Sequence, residues 1–254
     1  FYFIDNEYYF GYLDTLYGHY DDGERYGLFN DAVLKMLAEI DFYPDVLHLN
    51  DWQTGLIPIM LRQNYKHIDQ YKNIRTVFTI HNIAYQGVFS KDLMEYLNVS
   101  YENDLEFANS INFLKTGIQT ADFITTVSET YANEILYDYF SFRMNSVLET
   151  RKDDLYGIVN GIDYEQFNPM TDTSLEKNYG LHNYLKGKEE NKAHLRNLFA
   201  MKHIKVPVIG MVSRLTEAKG FDIIKIILED LIKDKKLQMV LLGSGDQEIE
   251  QYYQ

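Results

Sequence analysis

Three observations predict an α/β chain built from parallel sheets and divided into two domains. Apolar runs of strand length alternate with stretches of helical apolar spacing along all 254 residues, the pattern of repeated strand–helix–strand units. The predicted strands stop at or within two residues of Asp51, His81, Ser128, Asn160, Arg214 and Gly243. Parallel strands gather such ends on one rim, where ligands of open α/β sheets bind. Finally, Phe167-Asn-Pro169 leads into a polar stretch over residues 171–190, which places a boundary between domains 1–166 and 167–254. Two such rims facing each other would enclose a cleft.

In chain order, Phe1-Tyr-Phe-Ile4 reads as the end of a strand whose beginning is missing. Leu28, Phe29, Ala32, Val33, Met36, Leu37 and Ile40 recur at helical spacing. After Pro44 comes a buried-type strand over 46–49, then Asp51-Trp52 and a helix around 56–61. Residues 76–80 form a β-rich run that ends at His81, 111–120 read as helix and 123–127 as strand, and Ser128 can cap the next helix. Ile158-Val159 closes on Asn160-Gly161, a strong turn signal. In the second domain a strand from Val208 stops at Ser213. Arg214 and Lys219 follow, and Gly220 opens an amphipathic helix with Phe221, Ile224, Ile227, Leu228 and Leu231 on one side. A second strand over 238–242 breaks at Gly243-Ser-Gly-Asp246, and the helix begun there has no strand after it. Both ends look cut, so a fragment is expected, with both domains incomplete.

Composition narrows the function classes. The chain is 46% hydrophobic, enough for a core in each half, and no apolar run approaches the ~20 residues of a membrane span. It carries no cysteine, so no disulfide framework or thiolate metal site is expected, in keeping with the cytoplasm. A formal net charge of −14 argues against nucleic-acid or anionic-membrane partners. A phosphate-bearing ligand would need a local basic island, and Arg214 with Lys219 could form one. The 15% aromatic content would suit sugar stacking or simply aromatic cores.

The candidate residues follow from these placements. Two fixed cations beyond a strand end suit a diphosphate, Arg as a planar fork and Lys as a compact charge; the competing reading is two solvated loop charges. His81 lies in His-Asn-Ile-Ala-Tyr-Gln-Gly87, a loop with few charges, and could hydrogen-bond a sugar hydroxyl or be a structural histidine. Asp51 could accept from a sugar hydroxyl or merely cap the following helix. The spacing of His48, Asp51 and His81 matches no metal signature, so no metal site is expected. Gly243-Ser-Gly-Asp-Gln-Glu248 lacks the full phosphate-loop pattern. No Gly-x-Ser-x-Gly elbow supports a serine hydrolase.

His48-Leu-Asn-Asp-Trp-Gln-Thr-Gly55, Phe78-Thr-Ile-His-Asn-Ile-Ala-Tyr-Gln-Gly87, Ile111-Asn-Phe-Leu-Lys-Thr-Gly117, Val127-Ser128, Ile158-Val-Asn-Gly-Ile-Asp163, Ser213-Arg-Leu-Thr-Glu-Ala-Lys-Gly220 and Leu242-Gly-Ser-Gly-Asp246 resemble, in order and near-spacing, the bacterial glycogen synthase and plant starch synthase family. The resemblance implies a GT-B fold of two Rossmann-like domains, and transfer of glucose from ADP-glucose to the non-reducing end of an α-1,4-glucan such as glycogen. Configuration would be retained, with no metal or cofactor. Arg214 and Lys219 match the pair that contacts the donor diphosphate. His81 matches the histidine beside the reacting glucose, with Asn82 next to it. Asp51 matches an aspartate on the acceptor side, Asn160 an asparagine at the domain junction, and Gly243 and Gly245 a loop near the nucleotide. The family's N-terminal Lys-Thr-Gly-Gly-Leu segment and its C-terminal glutamate segment have no counterpart here. Ala108-Asn109-Ser110 replaces the usual Tyr-Gly-Lys, and Arg143 stands in a loop that usually carries glycine; these departures bear on acceptor fit. The alternatives are a retaining transferase that uses a UDP-sugar and a catalytically silent glucan-binding module.

Overall fold

The computed structural model describes residues 1–11, 13, 15–233 and 237–253. The chain forms two compact units, Phe1–Gly161 and Ile162–Gln254, where the sequence places its boundary after residue 166.

Unit 1 runs α1 (Asp22–Glu39), β1 (Val46–Asn50), a 3₁₀ turn at Trp52–Thr54, α2 (Ile57–Met60) continued by a π turn, and β2 (Arg75–Ile80). Then come β3 (Val88–Phe89), β4 (Glu106–Phe107), β5 (Ser110–Asn112), α3 (Phe113–Thr120), β6 (Phe123–Thr126), α4 (Glu129–Glu134), α5 (Asn145–Glu149) and β7 (Leu155–Gly157). The main sheet has the order β1-β2-β6-β7, and every pair in it is parallel. Helical segments cover it, so its central strand reads as a continuous apolar and β-branched run: Phe78 and Ile80 are fully buried. Polar side chains inside the sheet pair with one another. His48 Nε2 lies 2.7 Å from Thr79 Oγ1, and Thr79 Oγ1 lies 2.6 Å from Thr125 Oγ1.

Three readings of local structure are corrected. Phe1–Ile4 form no strand, and Phe1 and Phe3 are exposed without a ladder partner. Ile111 and Asn112 belong to β5 rather than to the helix, because Asn112 is its N-cap: the side chain accepts from Lys115 N. The strand read at Ile158-Val159 is β7, three residues earlier; only the Ile158 amide still bonds the sheet, at Thr126 O. The helix read from apolar spacing is α1; its buried residues are Asp22, Gly23, Arg25, Gly27, Asn30, Asp31, Leu34 and Leu37, whereas Leu28 is exposed. Close packing selects this face, since a Cβ on Gly23 would meet Phe89 and Leu93, and one on Gly27 would meet Leu97. Ser128 caps α4 as the sequence reads, accepting from Tyr131 N at 2.9 Å.

Unit 2 comprises α6 (Tyr184–Leu198), β8 (Val208–Val212), α7 (Phe221–Lys233), β9 (Gln238–Leu242) and α8 (Gln247–Tyr253). β8 and β9 pair in parallel around α7, the strand–helix–strand unit that the sequence predicts.

Candidate functional site

In unit 1 the candidate residues meet where β1 and β2 end. Asp51 follows β1 at φ 57°, ψ −179°, a backbone region nearly confined to glycine that costs of order 1–3 kcal/mol for other residues. Its amide prolongs the ladder by donating to Thr79 O at 2.9 Å. Its carboxylate makes no helix cap; Oδ1 instead accepts from the His81 amide at 2.8 Å. The capping alternative thus gives way to a tie between the two strand ends. The His81 ring is exposed and its Nε2 lies 2.9 Å from Asn50 Oδ1.

The loop after His81 is fastened at every turn. Asn82 Oδ1 accepts from Ala84 N at 3.0 Å, an Asx turn. The half-buried Tyr131 hydroxyl accepts from Ile83 N at 3.1 Å. Burial, followed by the carboxylates of Asp51 and Glu134, raises this phenol above its usual value against the opposing Ile83 hydrogen bond, so it stays neutral at neutral pH. The carbonyls of Gln86 and Gly87 accept from Leu114 N and Phe113 N, both at 3.0 Å, satisfying the otherwise orphan amides that open α3. Gly87 sits at φ 61°, and a Cβ there would strike the ring of Trp52. Trp52 is itself 6% exposed and packs on Tyr26, Phe89 and Phe113. Beside this loop opens a cavity of about 490 Å³ walled by Tyr17, Asp22, Trp52, Tyr85, Gln86 and Phe89, within the range of small-molecule sites.

Both departures from the family pattern meet on the far side of Gln86. Ala108 and Asn109 hold φ 50° and 65° in a two-residue hairpin between β4 and β5, a turn that demands left-handed backbone at both positions. Arg143 also holds a left-handed φ of 72°, which accounts for glycine being the usual residue there. Its guanidinium stacks over Phe107 at 5.6 Å, and the preceding carbonyl, of Phe142, accepts from Gln86 Nε2 at 2.9 Å.

In unit 2, Arg214 and Lys219 lie on the loop beyond β8, both exposed. Among the described residues neither has an ion-pair or side-chain hydrogen-bond partner. Lys219 ends a 3₁₀ turn, and Gly220 at φ 77°, ψ 21° makes the left-handed step into α7. The loop lies alongside the one that follows β9: Leu215 N donates to Ser244 O at 2.9 Å, and Asp246 N to Leu215 O at 2.7 Å. Any side chain on Gly243 would hit the Ser213 carbonyl, and one on Gly245 the Leu215 carbonyl. The two glycines therefore have a packing reason to be there. Asn160, exposed beside the unit boundary, has no hydrogen-bond partner among the described residues. His48 is occupied by Thr79, and no group of three or more His, Asp or Glu among the described residues is arranged to hold a metal.

Asn50, Tyr131 and Asn30 escape the sequence reading. Asn30, fully buried on α1, accepts from Leu56 N at 3.0 Å and donates to Gln53 O at 2.6 Å, so it holds the segment after Asp51. Asp22, Arg25 and Asp31 are buried on the same helix, so nothing in the sequence singles Asn30 out.

Parallel-sheet units with polar and cationic groups at their carboxyl strand ends define an α/β protein of Rossmann-like type, with its candidate site residues on the rim where such sheets bind ligands. Residues 1–150 match the family described as the starch synthase catalytic domain. The chain belongs to that family. It is 44% identical over 262 aligned residues to a glycogen synthase of Clostridioides difficile, covering 100% of this chain and 54% of that protein. A glycogen synthase of Geobacillus stearothermophilus is 43% identical, with 100% and 53% covered. The chain thus spans about half the length of the curated relatives it matches. It also superposes on the catalytic domain of Starch Synthase IV from Arabidopsis thaliana bound to ADP and acarbose. That match has a TM-score of 0.86 and 30% identity over 94% of this chain and 50% of that one. The α/β class of GT-B type expected from the sequence is therefore the fold of this family member. No helix among the described residues is long and apolar enough to cross a membrane.

Proposed function

We propose that this chain supplies the acceptor-side unit and the start of the donor-side unit of a retaining glucosyltransferase. The enzyme moves glucose from ADP-glucose to the non-reducing end of an α-1,4-glucan such as glycogen, in the cytoplasm. The observation that carries the reading is the pair Arg214 and Lys219, exposed and, among the described residues, unpartnered on the β8 loop of a chain whose net charge is −14. Cations left unneutralised among so many carboxylates suit a leaving diphosphate. The amino end of α7 opens two residues beyond Lys219 and adds its partial positive charge on the same loop. On the acceptor side, Asp51 Oδ1 is committed to the His81 amide, so Oδ2 is the oxygen that accepts from a sugar hydroxyl. The His81 main chain and ring would lie beside the reacting glucose with Asn82, and the aromatic cavity next to Gln86 suits the apolar faces of a glucan. Asn160, Gly243 and Gly245 complete the proposed contacts. Membership of the family and a relative bound to ADP support the donor.

The test is glucose incorporation into glycogen by the chain joined to the remaining half of the Clostridioides difficile glycogen synthase, with ADP-glucose and UDP-glucose compared. Preference for ADP-glucose supports the reading, and preference for UDP-glucose replaces the donor. Glycogen binding without incorporation from either donor would leave a silent glucan-binding module.

A further inference from the structure

Asn50 closes β1 with its side chain exposed, so packing does not require it. Its Oδ1 lies 2.9 Å from His81 Nε2. An amide oxygen can only accept, so this contact places a proton on Nε2, and in the neutral ring Nδ1 is then the lone-pair nitrogen. Among the described residues Nδ1 has no hydrogen-bond partner. Successive side chains of a regular strand face opposite sides, yet Asn50 and Asp51 both reach His81: one its ring, the other its amide at 2.8 Å. The left-handed break at Asp51, φ 57° and ψ −179°, is what turns two consecutive side chains onto one residue. Backbone strain of this kind is kept where the surroundings over-determine it, and here both side chains at the break hold the same histidine.

We infer that Asn50 is a positioning residue that fixes the tautomer and orientation of His81, presenting Nδ1 as a neutral hydrogen-bond acceptor for a glucose hydroxyl. The inference deepens the reading above and rests on His81 lying beside the reacting sugar. The choice of amide matters. A carboxylate in the same place would favour the imidazolium, and a full positive charge beside a sugar gaining oxocarbenium character would oppose the transition state. An amide orients the ring through a dipole without adding a carboxylate's charge beside it.

Two measurements test it. Long-range ¹H–¹⁵N spectra of this chain report the tautomer of each histidine, with the His81 signals assigned by their loss in His81→Ala. The parent should show the Nε2–H form at His81. The isosteric Asn50→Asp keeps an acceptor oxygen, so Nε2 should stay protonated while the ring shifts toward the imidazolium, whereas Asn50→Leu should give a tautomer mixture at His81 while the His48 signals stay in place. An Nδ1–H ring in the parent, or a His81 signal indifferent to Asn50→Leu, overturns the inference. In the enzyme completed with the relative's second half, Asn50→Leu should lower kcat about tenfold or more, a fraction of what a positioned imidazole supplies, with the ADP-glucose KM within threefold. Unchanged kcat in Asn50→Leu together with a crippled His81→Ala sinks the role of Asn50 alone. Unchanged kcat in His81→Ala itself sinks the underlying reading of the site, whatever the tautomer.

Discussion

At the scale of single residues, the chemistry turns on which side chains are free. Arg214 and Lys219 are unpartnered among the described residues, whereas Arg62, Arg75 and Arg151 are all engaged with carboxylates. In the completed enzyme, Arg214→Ala and Lys219→Ala should each cut kcat/KM for ADP-glucose by about 10²-fold or more, the usual cost of losing one preorganised charge at a developing anion. Arg214→Lys should rescue only in part, because an ammonium cannot reproduce a two-oxygen fork. Glycogen binding without donor should hardly move, since a neutral polysaccharide gains little from either charge. Activity within a fewfold of the parent in both alanine variants would make the two residues solvated loop charges. His81→Ala is expected to lower kcat more than it raises the donor KM, since the imidazole acts on the sugar rather than on the diphosphate. Steady-state kinetics decides both.

These residues were legible in the sequence because each stops an apolar run: Asp51 after β1, His81 after β2, Arg214 and Gly243 beyond β8 and β9. Their partners were not. Nothing in the pattern at Asn50 marks a residue that reaches across to the next strand, and a left-handed aspartate has no sequence signature. Tyr131 reads as one more aromatic of a helix, although its hydroxyl holds the loop after His81.

At the scale of elements, the two ends of the main sheet do different work. The carboxyl ends carry the candidate site, and the amino ends of β2 and β6 are riveted by Asp122. Its Oδ2 accepts from Thr76 N at 2.8 Å and from Thr76 Oγ1 at 3.0 Å, and Oδ1 accepts from Arg75 at 2.7 Å. Burial works to raise this carboxyl, but the Arg75 and Thr76 hydrogen bonds outweigh it and hold the group below its ordinary value of 3.8. A depressed carboxyl stabilises the fold fully above its ordinary value, and that contribution is lost as pH falls through the lowered one. Asp122→Asn should therefore cost about 1–3 kcal/mol at neutral pH, the scale of hydrogen bonds to a charged group, without altering kcat in the completed enzyme. The difference in Tm from the parent should shrink as the pH is taken below 3.8. A Tm gap that stays constant down to strongly acid pH would show that the carboxylate charge is not what ties the strands.

Elements were legible wherever period and length agree. The strands of the main sheet and the β8–α7–β9 unit run five residues or more in most cases, enough to reveal a pattern. The sheet β3-β5-β4 was not legible, because strands of two or three residues carry no period and its hairpin turn is Ala-Asn rather than a glycine pair. On α1 the apolar spacing marked the helix, and Leu37 of that set is buried, but the spacing did not show the rest of the buried face. Close approach of neighbouring side chains selected Gly23 and Gly27, and a glycine contributes nothing to a hydrophobic pattern.

At the scale of the whole molecule, the two units differ in how much they bury. Every residue of the main hydrophobic cluster lies between Leu34 and Leu148, inside unit 1. Among the described residues of unit 2, only Leu215 and Phe221 are buried hydrophobics, while Val212 is 81% and Ile226 78% exposed. Around its two strands unit 2 has α6, α7 and α8 but little buried apolar surface, and hydrophobic burial is the main favourable term in folding. The 254-residue chain should therefore unfold in urea in two steps, unit 2 first. The sequence supplies its own reporter, because the single tryptophan, Trp52, is 6% exposed within the core of unit 1. Far-UV circular dichroism should begin to fall at low urea, as α6 and α7 melt, while tryptophan fluorescence holds until a later midpoint. Phe221→Ala, which removes a fully buried ring from unit 2, should move the first transition to lower urea by about 3–5 kcal/mol or abolish it, and leave the tryptophan transition where it was. Coincident transitions by both probes, or a tryptophan midpoint that shifts with Phe221→Ala, would mean that the units unfold as one cooperative body and that the thin core of unit 2 is stabilised from outside itself.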